Sequence, residues 1–219
     1  APLVKWAVEV NRIEDMPMIL RRAAKIALTP PTGPVFISPP GDILNMEAAI
    51  DLGESTRVDA AARPSDASLE NLAARLSRAQ RPVIVAGHEI IASDAFGEAA
   101  QLAEMLGAPV YQQTVNDGAH FPSEHPAFMG SLNRDQSYVR DVLSPYDLLI
   151  CLGADLLRMS VYSEVDPLPA DMAVVQIGQR DWEMGKNHAV ELALRGDVKE
   201  TVAAVLPILA ASGGQGLKD

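Results

Sequence analysis

The sequence has a single cysteine, Cys151, and no cluster of Lys or Arg residues. One cysteine excludes an internal disulfide and a cysteine-rich metal site. The net charge is -11, from 29 acidic and 18 basic residues, and an acidic chain without a basic patch binds nucleic acids and anionic membranes poorly. No run of about 18 apolar residues is available to span a membrane. The segment APLVKWAVEV also lacks the basic-then-apolar order of a signal peptide. We therefore expect a soluble, cytoplasmic protein that binds neither nucleic acid nor membrane.

The apolar content is sufficient for a folded core. Apolar residues make up 48% of the 219 residues, far from a disordered composition. The length fits one large α/β domain, or one domain with an appended piece. Because the chain begins with Ala rather than Met, and residues 213–216 (GGQG) have the composition of a flexible linker, we expect a piece of a larger protein.

The clearest pattern is a strand, a helix and a second strand over residues 81–111. Residues 82–86 (PVIVA) form an unalternating apolar run, which is typical of a parallel strand buried on both faces. A helical pattern follows, for which Ser93 is the candidate N-cap and Gly107 the C-terminal stop. Residues 108–111 (APVY) begin the next strand.

Further patterns of the same kind extend this unit into a domain. The additional predicted strands are residues 147–153, 172–177 and 192–194. Asp197 and Glu200 then have the spacing of a helix capping box. The alternation over residues 65–211 predicts a Rossmann-like, doubly wound parallel sheet of about six strands, with helices on both faces.

The flanking segments have different compositions. Residues 1–44 carry a strand–helix–strand pattern too small to bury its own faces, so we expect a small N-terminal β-α-β extension that docks on another surface. The periodicity fades in residues 45–64, which indicates a linker. Residues 212–219 are interpreted as a linker or tail.

Three segments carry distinctive motifs. Residues 5–43 contain KWAVEV and LRRAAKIALTPPTGPVFISPPGDI, residues 81–130 contain RPVIVAG, LAEMLGAPVY and FPSEHPAFMG, and residues 174–197 read VVQIGQRDWEMGKNHAVELALRGD. In this order they resemble the thiamine-diphosphate-dependent family of benzoylformate decarboxylases and acetolactate synthases, with details that favour the benzoylformate decarboxylase branch. The first segment is similar to the end of that family's pyrimidine-binding domain, and the other two are similar to its central domain.

The resemblance implies that the cofactor chemistry needs parts beyond this chain. In the family, a glutamate upstream of the first segment protonates the aminopyrimidine, and a Gly-Asp-Gly motif with a later asparagine holds the diphosphate and Mg²⁺. Here the Gly-Asp pairs at residues 41–42 and 196–197 are followed by Ile43 and Val198, so neither is that motif. We therefore expect no catalytic residue and no metal ligand in this chain, which would be inert alone.

The resemblance also implies what the parent protein does. It would be a lyase or transferase that uses thiamine diphosphate and Mg²⁺ to decarboxylate, or carboligate from, a small 2-keto acid. The central domain would have a structural role, spacing the two cofactor domains. Its expected partners are the remaining domains of the parent chain and further copies in a homo-oligomer.

In flavin-binding members of this family the central domain holds FAD, and in some relatives ADP, across the carboxyl ends of the strands. The corresponding candidate nucleotide-binding residues here are Gly87, His88, Gly153, Ala154, Gly178 and Gln179. The first loop has only one glycine, and its His88 and Glu89 add bulk and negative charge. Gly178 and Arg180 stand where flavin binders have acidic residues, so the sequence argues against retained FAD. An empty or altered crevice is expected.

Two other functions remain open at this point. One is a regulatory module that binds ADP, FAD or a CoA-like ligand in the crevice. The other is a stand-alone enzyme on a Rossmann-like scaffold, which the lack of an assembled catalytic set disfavours.

The histidines give a weak case for metal binding. His120 and His125 lie five apart in the loop of residues 116–126, but no third ligand follows at useful spacing. Hydrogen-bonded loop anchors are the favoured interpretation. His88 is a candidate ligand contact at a strand end, and Cys151, within a strand, is interpreted as a small buried hydrophobe.

Overall fold

The computed structural model describes residues 3–54, 56, 58–160 and 162–212. The chain divides into two compact units, residues 1–60 and 61–219. The linker predicted at residues 213–216 lies outside the described residues. Within the described ranges, no helix is long and apolar enough to cross a membrane.

The first unit is a small parallel β-α-β arrangement, as the sequence predicts. Its elements are β1 (Trp6–Glu9), a 3₁₀ turn (Ile13–Asp15), α1 (Met16–Leu28), β2 (Val35–Ser38) and α2 (Gly41–Leu44). β1 pairs with β2 in parallel, with Trp6 opposite Val35. The buried apolar cluster of this unit contains Val10, Ile19 and Ile43. A core of that size matches the expectation of a piece that buries little of its own surface.

The second unit contains a parallel sheet of six strands in the described part of the chain, ordered β5-β4-β3-β6-β7-β8. The strands are β3 (Pro82–Ala86), β4 (Val110–Gln112), β5 (Phe128–Ser131), β6 (Leu148–Leu152), β7 (Ala173–Gly178) and β8 (Leu192–Arg195). The helices are α3 (Asp66–Leu76), α4 (Glu89–Ala92), α5 (Phe96–Leu106), α6 (Gln136–Leu143) and α7 (Val198–Ala211). The strand order runs outward in one direction from β3 and in the other from β6. The reversal between these two strands is the switch point at which open α/β sheets bind ligands.

Helices cover both faces of this sheet. Ile84 and Ile150 belong to one buried cluster, together with residues of α3, α5 and α7. Their neighbours Val83 and Leu149 belong to a second cluster, which includes the buried face of α6. Consecutive residues of β3 and β6 therefore enter opposite layers. This arrangement explains the unalternating apolar runs and confirms the doubly wound fold.

Capping side chains begin several helices. The Ser65 hydroxyl accepts a hydrogen bond from the Ser68 N–H at the start of α3, and the Asp197 carboxylate accepts one from the Glu200 N–H at the start of α7. The prediction that Ser93 caps a helix start is wrong. Ser93 ends the short α4, and its hydroxyl donates to the Glu89 carbonyl oxygen over 2.7 Å. The chain then turns at Asp94, whose φ is 52°, before α5 begins.

Candidate ligand crevice

The three loops predicted from the sequence lie side by side at the carboxyl ends of β3, β6 and β7. The Gly87 N–H donates to the Leu152 carbonyl oxygen over 3.0 Å, and the Gly153 N–H donates to the Ile177 carbonyl oxygen over 2.8 Å. Gly178 is the last residue of β7. The six candidate residues are therefore brought to one edge of the sheet. Nucleotide binding by them stays a prediction.

The glycines at this edge allow the chain to pack tightly against itself. A Cβ atom at Gly87 would lie 2.3 Å from both the Ala154 Cα and the Gly153 carbonyl oxygen. Gly153 has a φ of 60°, and a Cβ there would lie 2.8 Å from the Glu89 Cβ. A Cβ at Gly178 would lie 2.7 Å from the Glu89 Oε2. Neighbouring protein atoms, including the Glu89 side chain, thus occupy the space that these glycines leave.

Glu89 places a carboxylate directly over the end of β7. Its Oε2 accepts a hydrogen bond from the Gln179 N–H over 2.6 Å. Burial raises the pKa of Glu89, while the Gln179 N–H and the nearby Arg180 guanidinium act in the opposite direction. The half-buried Glu89 carboxylate thus accepts a hydrogen bond from the backbone just after β7.

Arg180 connects the loops through side chains. One guanidinium nitrogen, Nη1, lies 3.0 Å from the Asp155 Oδ1 and 3.2 Å from the His88 Nε2. An arginine N–H can only donate, so the His88 Nε2 accepts. Burial and the Arg180 charge lower the pKa of His88, against the opposing effects of Asp155 and Asp117. In this structure the His88 ring contacts Arg180, and a contact of His88 with a ligand stays a prediction.

Gln179 is also held by the protein. Its side-chain amide donates to the Asp197 Oδ2 over 3.0 Å, while the Asp197 Oδ1 accepts the Glu200 N–H over 3.1 Å. The Gln179 side chain thus links the end of β7 to the capped start of α7.

Sequence reasoning missed the polar residues that follow β4 and β6. The Gln113 Oε1 accepts from the Asp155 N–H over 3.2 Å, and its Nε2 donates to the Val115 carbonyl oxygen over 2.8 Å. The Thr114 hydroxyl donates to the Arg158 carbonyl oxygen over 2.9 Å. Gln113 and Thr114 could have been found from their position, because they come directly after β4 at the edge of the sheet where the predicted loops meet.

Two small cavities open along this edge. The first has a volume of about 170 Å³ and the second about 160 Å³. Both are lined by Asp155, Arg158 and Arg180. Each is smaller than the ~300–1,000 Å³ of typical small-molecule sites. A ligand as large as a dinucleotide would need the Arg180 network to rearrange.

The histidines of the long loop have separate partners. The Nε2 atom of buried His120 lies 2.6 Å from the Asp117 Oδ1, and the backbone N–H of His120 donates to the Gln112 Oε1 over 2.6 Å. The His125 Nε2 lies 3.1 Å from the Glu104 Oε1. These contacts confirm the interpretation of both histidines as hydrogen-bonded loop anchors. In the described ranges, no three His, Cys, Asp or Glu side chains are grouped to hold a metal ion.

Cys151 is buried in β6, as the sequence indicates. Burial raises the pKa of its thiol, so the thiolate is disfavoured.

Comparison with known proteins decides the family. The model for the central domain of thiamine pyrophosphate enzymes matches residues 69–205. This chain belongs to that family. The match includes most of the second unit, with the strands and loops that form the crevice.

Alignments with two relatives include the first unit as well. Benzoylformate decarboxylase of Pseudomonas aeruginosa is 33% identical over 207 residues, which are 94% of this chain and 39% of that protein. The acetolactate synthase large subunit of Corynebacterium glutamicum is 29% identical over 218 residues, 96% of this chain and 34% of that protein. The chain thus spans less than two fifths of the length of each.

Solved structures have the same fold. The benzoylformate decarboxylase of Polynucleobacter necessarius superposes with a TM-score of 0.84 at 26% identity, over 99% of this chain and 40% of that one. A thiamine diphosphate-dependent 4-hydroxybenzoylformate decarboxylase of Rhodococcus jostii superposes with a TM-score of 0.82 at 29% identity, over 100% of this chain and 42% of that one. The family resemblance read from the three sequence segments is confirmed.

Proposed function

We propose that this chain is the structural middle part of a thiamine-diphosphate-dependent 2-keto acid decarboxylase or carboligase, and that it is catalytically inert by itself. The observation that carries the proposal is the family match over a chain whose polar residues at the crevice are bonded to one another. Arg180 is paired with Asp155, and Glu89 with the Gln179 N–H. The described side chains at this edge are arranged to hold loops together.

The residues present do not fit thiamine diphosphate with Mg²⁺. Of the two Gly-Asp pairs, residues 196–197 directly precede α7, and both carboxylate oxygens of Asp197 accept hydrogen bonds from the protein. Residues 41–42 form the first turn of the four-residue α2. Mg²⁺ prefers several free oxygen ligands in an octahedral arrangement. The Asp197 carboxylate is used by contacts within the protein, and residues 41–42 belong to a short helix, which supports placing the cofactor site of the parent in its other domains.

The apolar surface of the first unit supports a further domain as its partner. Met18, Leu20, Leu28 and Phe36 are exposed, although their unit buries few apolar side chains. Exposed apolar patches on a small unit are typical of surfaces that pack against other protein. We assign this surface to the remainder of the pyrimidine-binding domain. Assembly of the parent as a cytoplasmic homo-oligomer is part of the same proposal.

Activity measurements test the inertness of the chain. The chain is incubated with thiamine diphosphate, Mg²⁺ and benzoylformate, and carbon dioxide release is measured beside the P. aeruginosa benzoylformate decarboxylase. We expect release by that enzyme and none by this chain. Turnover by the chain alone would refute the structural role and favour a stand-alone enzyme.

A hybrid enzyme tests the spacing role directly. This chain replaces the matched segment of the P. aeruginosa enzyme, and thiamine diphosphate binding is measured by equilibrium dialysis. We expect the hybrid to retain cofactor binding, because the proposed ligands come from the other domains. A folded hybrid that binds no cofactor would contradict the proposal.

A further inference from the structure

The end of β7 has the features of a phosphate-binding position. It lies beside the switch between β3 and β6, where ligands of open α/β sheets bind. Gly178 has no side chain to cover its backbone, and the next N–H, that of Gln179, donates to the Glu89 carboxylate. Backbone N–H groups next to glycine are common donors to phosphate oxygens.

The Glu89 carboxylate occupies this position. Its Oε2 accepts the Gln179 N–H at 2.6 Å, and a Cβ at Gly178 would lie 2.7, 3.2 and 3.3 Å from the Oε2, Cδ and Oε1 atoms of Glu89. The Glu89 carboxylate thus fills the space beside the Gly178 backbone, which is where a phosphate would have to lie to accept the Gln179 N–H. Gly153 admits the stem of the same side chain, since a Cβ there would lie 2.8 Å from the Glu89 Cβ.

We propose that Glu89 acts as a built-in anion, so that this one residue decides whether the crevice accepts a ligand bearing a phosphate group. The Gln179 N–H is already used by Glu89, and the Arg180 guanidinium is neutralised by Asp155 at 3.0 Å. A phosphate at the same place would lie against the Glu89 carboxylate, and the Gln179 N–H would already have an acceptor. Like charges in contact are strongly unfavourable at a binding surface.

Removal of the carboxylate reverses two of these conditions, the nearby negative charge and the occupied donor. Glu89→Ala vacates the space over Gly178, frees the Gln179 N–H and leaves Arg180 with one anionic neighbour fewer. A half-buried N–H without a partner and a nearby guanidinium favour a charged acceptor. The variant crevice is therefore expected to bind inorganic phosphate and ADP, which share the phosphate group.

The test is a titration of wild type and three variants with inorganic phosphate and with ADP. Thermal melting and equilibrium dialysis report binding, and circular dichroism reports folding. We expect Glu89→Ala to bind at least about tenfold more tightly than wild type, as charge-assisted hydrogen bonds become available. Glu89→Gln keeps the shape of the side chain and is expected to gain less. Glu70→Ala, at an exposed position of α3, makes the same change in net charge and is expected to gain nothing.

The comparison of inorganic phosphate with ADP also distinguishes binding of the phosphate group from binding of the nucleoside. A gain with both ligands assigns the effect to the phosphate group, and a larger gain with ADP adds a contact to the nucleoside. A folded Glu89→Ala protein that binds neither ligand more tightly than wild type would overturn the proposal. Because the readout is binding, its failure is distinct from turnover by the chain, which would instead overturn the proposed function.

A measurement on wild type covers the case in which the Ala variant does not fold. The amide resonances of Gln179 and Arg180 are followed by NMR as inorganic phosphate is added. We expect them to stay unchanged, because the carboxylate holds this position. A saturable shift of the Gln179 resonance in wild type would show that phosphate enters beside Glu89, and the proposal would be wrong.

Discussion

Replacement of Gly87 by alanine tests the close packing of the loops at the switch point. A Cβ at residue 87 would lie 2.3 Å from two backbone atoms of the neighbouring loop, the Ala154 Cα and the Gly153 carbonyl oxygen. Ordinary contacts begin at 3.4 Å, so the two backbones must separate by roughly 1 Å. A rotation of a side chain cannot relieve this overlap, because backbone atoms cause it.

The expected cost is in the upper part of the ~1–3 kcal/mol range seen for overpacked sites. With a urea dependence of about 1–3 kcal/mol per molar, the midpoint of unfolding should fall by roughly 1 M. Gly97→Ala is the matched control, because nothing lies within 4 Å of its Cβ position in α5. Alanine in place of glycine in a helix stabilises by about 0.5–1 kcal/mol.

The assay is urea unfolding followed by tryptophan fluorescence in a Trp6→Phe background. The remaining tryptophan, Trp182, lies in the second unit and reports its unfolding. Gly178→Ala gives an intermediate case, since its Cβ would meet the end of the Glu89 side chain, which can move. A Gly87→Ala protein as stable as Gly97→Ala would refute the reasoning about loop packing.

Three further predictions concern the second unit. Leu149→Ala should lower the free energy of unfolding by about 2–5 kcal/mol, because Leu149 is fully buried; an unchanged urea midpoint would contradict its place in the core. Asp147→Ala should cost about 1–3 kcal/mol, since its carboxylate accepts the N–H groups of Gln80 and Arg81 at 2.8 and 2.9 Å; Asp147→Asn, which keeps one acceptor, should recover part of this loss. The folded-state pKa of His88 lies below its ordinary value of 6.5, so the contribution of neutral His88 is present above pH 6.5 and is lost as pH falls from there through the folded-state pKa; His88→Gln should weaken this fall in stability, and an identical pH profile would count against it.

The sequence allowed the sheet to be predicted because its central strands have a local signature. Val83 and Ile84 enter opposite layers, and so do Leu149 and Ile150, which leaves apolar side chains at consecutive positions. Such a run can be recognised without knowledge of its neighbours. The helix after β3 was harder, because Ser93 has the chemistry of an N-cap and yet ends α4. The turn at Asp94 is decided by how the short helix packs.

The meeting of the three loops was predictable from the sequence, but the contacts of their side chains were not. Glycines at strand ends indicated where the loops meet. The contact of Glu89 with the Gln179 N–H joins residues 90 positions apart, and that of Arg180 with His88 joins residues 92 apart. No local pattern encodes such pairs. The size and charge of Glu89 were evident from the sequence, but only the folded structure shows that its carboxylate lies against Gly178.

The alternation of β3 and β6 between two apolar layers has a consequence for the dynamics of the second unit. A single thickness of peptide separates the layers, and each central strand supplies side chains to both. Neither layer can open without withdrawing the strands that also support the other. The amide protons of β3 and β6 should therefore exchange with solvent together and only through unfolding of the whole unit, while the loops of the crevice can open by themselves. The loops at the ends of these strands can thus accept substitutions while the fold beneath them stays intact.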